Sequence, residues 1–160
     1  MEIVIYGEPV PQGRPRFTRT GHTYDPQKSK NYKQLVRFWV TQYLKGKPFK
    51  PYEDALCVDL TFYVGIPTSW SIKKRIQADN GQIRPTARNG DLDNLTKAIL
   101  DACNGLLWVD DAIITDLSAR KRYTGDVARV VMKVTANEQN ELKHAWEKHL
   151  KRQEQNNVKP

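Results

Sequence analysis

The chain has 160 residues, 39% of them hydrophobic and 28% charged, and its 26 Lys and Arg outnumber 18 Asp and Glu to give a net charge of +8. That length supports one domain with a real core, and no apolar run approaches the roughly 18–20 residues needed to span a bilayer. The basic balance suits a polyanionic partner.

In chain order, Glu2 to Gly7 reads as a strand, with β-branched Ile3, Val4 and Ile5. Pro9, Pro11, Gly13 and Pro15 then break regular structure and leave a basic loop carrying Arg14 and Arg16. Asp25-Pro26 predicts a helix start. The helix pattern is clean: Tyr32, Leu35, Val36, Trp39, Val40, Tyr43 and Leu44 recur on one face until Gly46 and Pro48 stop it. Leu56, Val58, Leu60, Phe62 and Val64 alternate with more polar residues as a half-buried strand. Ser69 or Ser71 caps a short helix that stops at Asn80-Gly81, and Gln82 to Gly90 is a polar loop. Leu95, Ala98, Ile99, Ala102 and Cys103 form a second helical stripe, closed by Gly105. Ile113–Tyr123 and Val127–Thr135 read as two strands of a hairpin turning at Thr124-Gly125-Asp126. Asn137 to about Arg152 reads as a charged amphipathic helix. The expected fold is α/β in the broad sense, more strictly α+β: a mixed β-sheet with flanking helices, residues 1–136 as one domain and 137–160 as a charged helix and tail.

Cys57 and Cys103 lie in apolar-patterned segments and are expected to be free thiols in a reducing cytosol, while His22, His144 and His149 lack zinc-ligand spacing. The opening Met1-Glu2-Ile3-Val4 is not a basic stretch leading into an apolar one, so no secretory leader is expected and the cytoplasm is the expected location. Trp70 and Trp108 read first as core or hinge packing and second as platforms for unpaired bases.

Charge is unevenly placed. Residues 11–50 hold ten Lys and Arg against one Asp, whereas residues 91–116 hold six Asp against one Lys. An acidic island in a basic chain is opposed by its own repulsion unless a cation neutralises it, while the basic remainder suits a nucleic acid. Asp91 and Asp93, two apart at a helix start, are placed to face one point, with Leu92 turned to the core. Lys97 follows Asp93 by one helical turn. A helix packed beside its following strand is expected to return Asp110 or Asp111 toward them, and converging carboxylates suit Mg2+, which takes hard oxygen ligands at about 2.0–2.1 Å. The same residues have plainer readings that spacing leaves open: Asp93 or Asn94 as a helix cap, Asp93 and Lys97 as an i,i+4 pair, Asp110-Asp111 as a turn.

Asp91-Leu92-Asp93-Asn94-Leu95-Thr96-Lys97-Ala98, then Asp101-Ala102 with Gly105, then Trp108-Val109-Asp110-Asp111, resembles the RusA-type Holliday junction resolvases of bacteria and their prophages. Val10 to Phe17 resembles a segment of that family's phage-type branch, and the similarity runs from about Ile3 to Val134. The resemblance implies an endodeoxyribonuclease that acts on four-way DNA as a homodimer with Mg2+, or Mn2+, as cofactor. It also implies Asp91, Asp93 and Asp111 as metal ligands and Lys97 as the fourth catalytic residue. Arg14, Arg16, Lys73, Lys74, Arg75, Arg88 and Lys121 are the candidate phosphate contacts. Gly90 departs from the family, which often has Pro or a basic residue there. Other readings are a non-catalytic binder of branched or single-stranded DNA, and a metal nuclease of broader flap or fork specificity.

Overall fold

The computed structural model describes residues 1–13, 26–86, 90–137 and 146, with the backbone alone of 16–17 and 23–24. The elements in chain order are β1 (Glu2–Tyr6), β2 (Arg16–Phe17), β3 (Thr23–Tyr24), α1 (Gln27–Leu44), β4 (Leu56–Gly65), α2 (Ile72–Asp79), α3 (Leu92–Cys103), a 3-10 turn (Asp111–Ile113), β5 (Ile114–Thr124) and β6 (Arg129–Ala136). Four strands make one mixed sheet in the order β1-β6-β4-β5, and β2 and β3 form a separate two-stranded ribbon in what reads from sequence as plain loop. The fold is α+β, a mixed sheet with helices packed on it.

The period-2 pattern of β4 decides the layering. Leu56, Val58, Leu60, Phe62 and Val64 are fully buried on one face, joined there by Ile3 and Ile5 of β1 and Val130, Met132 and Val134 of β6. α1 covers this face with Tyr32, Val36 and Val40, and α3 with Leu95, Ala98, Ile99, Ala102 and Cys103. Full burial of such side chains contributes about 1.5–3 kcal/mol each, so the two helical stripes are what fix the helices to the sheet. Arg37 on α1 ties them further by donating to the carbonyls of Ala102 and Asn104. Lys33 pairs with Asp101 at 3.0 Å.

The expected hairpin at Thr124-Gly125-Asp126 is not one. β5 and β6 lie on either side of β4, β5 parallel to it and β6 antiparallel. A turn signal reports only local chain reversal; β4, the strand whose buried face runs along its whole length, takes the centre and separates the two. A one-residue bulge near Leu56 keeps β5 in phase with β4 beyond it. Leu117, Ala119, Lys121 and Tyr123 thereby share the helix side, opposite Val58, Leu60, Phe62 and Val64.

α1 begins at Gln27, with Pro26 at the cap position and no side-chain cap bond. α2 is capped by Ser71, whose hydroxyl accepts from the Lys74 amide, and Ala78 packs with Val64 and Tyr123 in a second small cluster. Cys57 and Cys103 are free thiols, Cys103 buried and Cys57 half-buried. No helix is long and apolar enough to cross a membrane among the described residues. The predicted C-terminal helix falls outside the described residues except for Trp146, which is helical and exposed.

Candidate active site

The α3 N-terminus brings Asp91 and Asp93 to the surface, and two other segments, the Pro-Gly loop and β5, hold it in place. Gly90, immediately before it, has φ +86, and a Cβ there would lie 2.7 Å from Pro11 Cγ. Only glycine meets both demands. The Gln12 amide donates to the Asn94 carbonyl at 2.8 Å, so the Pro-Gly loop buttresses the first turn of α3. Lys121, rising from the helix side of β5, donates to the carbonyls of Thr86 at 2.8 Å and Gly90 at 2.9 Å. The sequence suggests Lys121 as a phosphate contact; the fold gives its ammonium the task of fixing the chain ahead of Asp91.

Asp91 occupies the N-cap position in extended backbone, yet its carboxylate makes no cap hydrogen bond. Asp93 lies in the first turn, and Lys97 one turn later; all three are exposed. The plainer readings therefore do not hold: Asp93 and Asn94 are not the cap, and among the described residues Asp93 and Lys97 form no ion pair. Leu92 packs against the core as expected. Among the described residues neither Asp91 nor Asp93 makes a cap bond or an ion pair, and both lie at the positive end of the helix dipole, which stabilises their negative charge.

Asp110 and Asp111 are elsewhere. Asp110 caps the 3-10 turn by accepting from the Ala112 amide at 2.8 Å, as the turn reading anticipates, and Asp111 opens that turn half-exposed. α3 runs antiparallel to β5: its start lies at Lys121, and its last turn leads through buried Leu107 and Trp108 to Asp111, ahead of Ile114. Twelve helical residues separate the two ends by about 18 Å, and residues 114 to 121 of β5 span roughly 23 Å. The expected return of Asp111 to Asp91 and Asp93 within one chain does not occur, because a short connection after a helix starts the next strand at the helix's far end. Among the described residues, no group of three or more His, Cys, Asp or Glu is close enough to hold a metal ion. The donor types suit Mg2+, but a single protomer does not assemble the three-carboxylate set.

Of the basic candidates, Lys73, Lys74 and Arg75 are exposed on α2, with the Lys74 ammonium 4.0 Å above the Trp70 ring. Trp70 also meets Tyr123 edge-on, and Trp108 is wholly buried with its Nε1 donating to Asn104 at 2.7 Å; both are packing residues. Arg14 and Arg88 lie outside the described residues, and Arg16 is placed only as backbone in β2. Sequence reading missed a further cluster. Arg122 is held below the usual guanidinium range, first by lost hydration and then by the like charges of Arg84 and Arg120. Strand alternation carried the signal, since Arg120 and Arg122 share the sheet face away from the helices.

A family model described as Endodeoxyribonuclease RusA matches residues 6–135. The chain is also 37% identical over 137 residues to "Uncharacterized protein YqaN" of Bacillus subtilis (strain 168), a match covering 82% of this chain and 94% of that protein. The match takes in the Pro-Gly loop, the α3 N-terminus, the 3-10 turn and the sheet from the last residue of β1 through nearly all of β6, and on that extent the chain belongs to the RusA endodeoxyribonuclease family.

Proposed function

We propose that this protein is a structure-selective endodeoxyribonuclease that resolves four-way DNA junctions by paired nicks, requires a divalent cation, Mg2+ or Mn2+, and works as a homodimer in the cytoplasm. The observation that carries the reading is the α3 N-terminus: Asp91 and Asp93, exposed and, among the described residues, used for neither capping bonds nor ion pairing, within a chain of this nuclease family. Neighbouring carboxylates repel one another, and a bound divalent cation relieves that repulsion.

The chain's own groups divide the work. Lys97, exposed one turn along α3, offers positive charge to the scissile phosphate as negative charge builds on it. Arg122 stands against the like charges of Arg84 and of Arg120, the latter already paired with Asp59, and a phosphate backbone relieves that repulsion. Arg14, Arg16, Arg88 and the exposed Lys73-Lys74-Arg75 run supply further phosphate contacts, which position the DNA without reading its sequence. A four-way junction is two-fold symmetric, so a two-fold dimer offers matched sites to strands of like polarity.

The test is cleavage of a mobile four-way junction, a flap and a matched linear duplex, each with Mg2+ or with EDTA. Junction cutting that depends on the metal and disappears in Asp91→Asn, with binding retained, is the expected result. Binding without cutting by the wild-type protein would favour a non-catalytic DNA binder, and equal cutting of flap and junction a nuclease of broader specificity.

A further inference from the structure

We infer that α2 recognises the branch point itself: Ile72 and Ile76 line a groove that takes one unstacked DNA base close to the cleaved strand. The inference rests on the nuclease reading above and names the part of the protein that tells a junction from a linear duplex.

The make-up of α2 leads to it. Only Ala78 among its eight residues is buried, packed with Val64 and Tyr123. Its two largest apolar side chains, Ile72 and Ile76, are 77% and 56% exposed. Four residues apart, they stand one above the other on the same helical face. A single exposed apolar residue needs no explanation, but a contiguous pair beside a cavity marks a binding surface. With Ile66, Arg75, Asp79 and Gly125 they line an open groove of about 230 Å3. That is below the roughly 300–1,000 Å3 of a site for a drug-sized ligand, and suits a single flat group. Asp79 accepts from the Gly125 amide at 2.8 Å, which ties α2 to the connection between β5 and β6.

Charge selects the occupant. Lys73, Lys74 and Arg75 follow Ile72 and are exposed, and Asp79 is the one carboxylate on the helix. Cations around an apolar pair suit a polyanion that also presents flat apolar faces, which is what DNA with unpaired bases offers. Isoleucine is among the side chains that wedge between base steps. In a continuous duplex such a wedge must break stacking, whereas an unpaired base leaves the stack at least cost. The groove therefore favours branched over linear DNA without reading sequence.

Position supports the same reading. α2 and α3 lie on the same side of the sheet, along the end of β5: Lys121 holds the Gly90 carbonyl ahead of Asp91, and two residues later Tyr123 packs against Trp70 and Ala78. Gly125, at the groove, is four residues beyond Lys121, a rise of roughly 13 Å. At about 3.4 Å of axis per nucleotide, a base in the groove lies on the order of four nucleotides from a phosphate held at Asp91 and Asp93.

The experiment measures DNA binding in EDTA, so that cleavage plays no part. Ile72→Ala with Ile76→Ala removes the apolar pair and places a strong helix former at both positions. A junction carries 2-aminopurine at each position within about four nucleotides of the branch in turn, and a linear duplex carries it at the matching positions; its emission rises when the base unstacks. The wild-type protein should bind the junction more tightly than the duplex and raise the emission near the branch. The double alanine variant should bind the junction about tenfold more weakly, lose the rise in emission, and bind the duplex as before. Ile72→Leu with Ile76→Leu should keep both properties. Unaltered junction affinity in the alanine variant, equal weakening on junction and duplex, or a persisting rise in emission would overturn the groove. So would a change of mass in light scattering, which would make the isoleucines a seam between copies. If the wild type binds the junction in this way but cuts no DNA once Mg2+ is added, the nuclease reading fails and the groove stands. If it cuts junctions while the alanine variant keeps the wild-type preference for them, the groove alone fails.

Discussion

Gly90→Ala is the most informative single change outside the acidic residues, because it tests whether the Pro11 loop holds the α3 N-terminus. At φ +86, any Cβ carries a left-handed backbone penalty of about 1–2 kcal/mol. The new methyl would also lie 2.7 Å from Pro11 Cγ and 2.9 Å from Pro11 Cβ, both ring atoms with little freedom to withdraw. Overpacking of that kind costs a further 1–3 kcal/mol or so. The matched control is Gly46→Ala: φ is +74 and nothing lies within 4 Å, so only the backbone penalty applies and the gain from a stiffer unfolded chain is the same in both. Urea denaturation should therefore show Gly90→Ala losing about 2–5 kcal/mol and Gly46→Ala about 1–2 kcal/mol. Adding Pro11→Ala, which removes the closest atom, should recover part of the difference. Cleavage should fall on the order of a hundredfold in Gly90→Ala, as a displacement near 1 Å at a reacting group can cause, and stay unchanged in Gly46→Ala. Equal destabilisation of the two glycine variants would refute the claim that Pro11 braces this site.

Lys121→Met removes the two bonds to Thr86 and Gly90 and should cost about 2 kcal/mol of stability; Lys121→Arg, which keeps donors, should lose less, and equal losses in urea melts would contradict the bracing role. Arg14→Ala with Arg16→Ala should weaken junction binding and lower the slope of log K against log salt by about one to two, measured by anisotropy titrations at several salt concentrations; an unchanged slope would remove both from the phosphate contacts. Burial pushes the Cys103 thiol up to about 12. Its folded value lies above its unfolded one, so this stabilising contribution is complete below about pH 8.5 and lost as pH rises toward 12. Wild-type stability should accordingly fall faster than that of Cys103→Ala above that pH, by no more than about 1.4 kcal/mol per unit; parallel curves from urea melts would show that the thiol does not titrate on unfolding.

Periodicity by itself determined which residues form the core. The stripe from Tyr32 to Leu44, the alternation from Leu56 to Val64 and the stripe from Leu95 to Cys103 all became buried faces, because a helix or strand with one apolar side has few ways to hide it. The acidic run was legible too: composition marks residues 91–116 as an acidic island in a basic chain, and the fold leaves Asp91 and Asp93 at the surface. Partnership between distant segments was not legible. Thr124-Gly125-Asp126 signals a turn whether the flanking strands pair directly or straddle a third, and only the burial of β4 on one whole face decides that it is inserted between them. Spacing along the chain predicts that Asp110 or Asp111 returns toward Asp91 and Asp93. A helix about 18 Å long pointing away from its start removes that return, and only the tertiary structure reveals that Asp91 and Asp111 stand at opposite ends of α3, along β5.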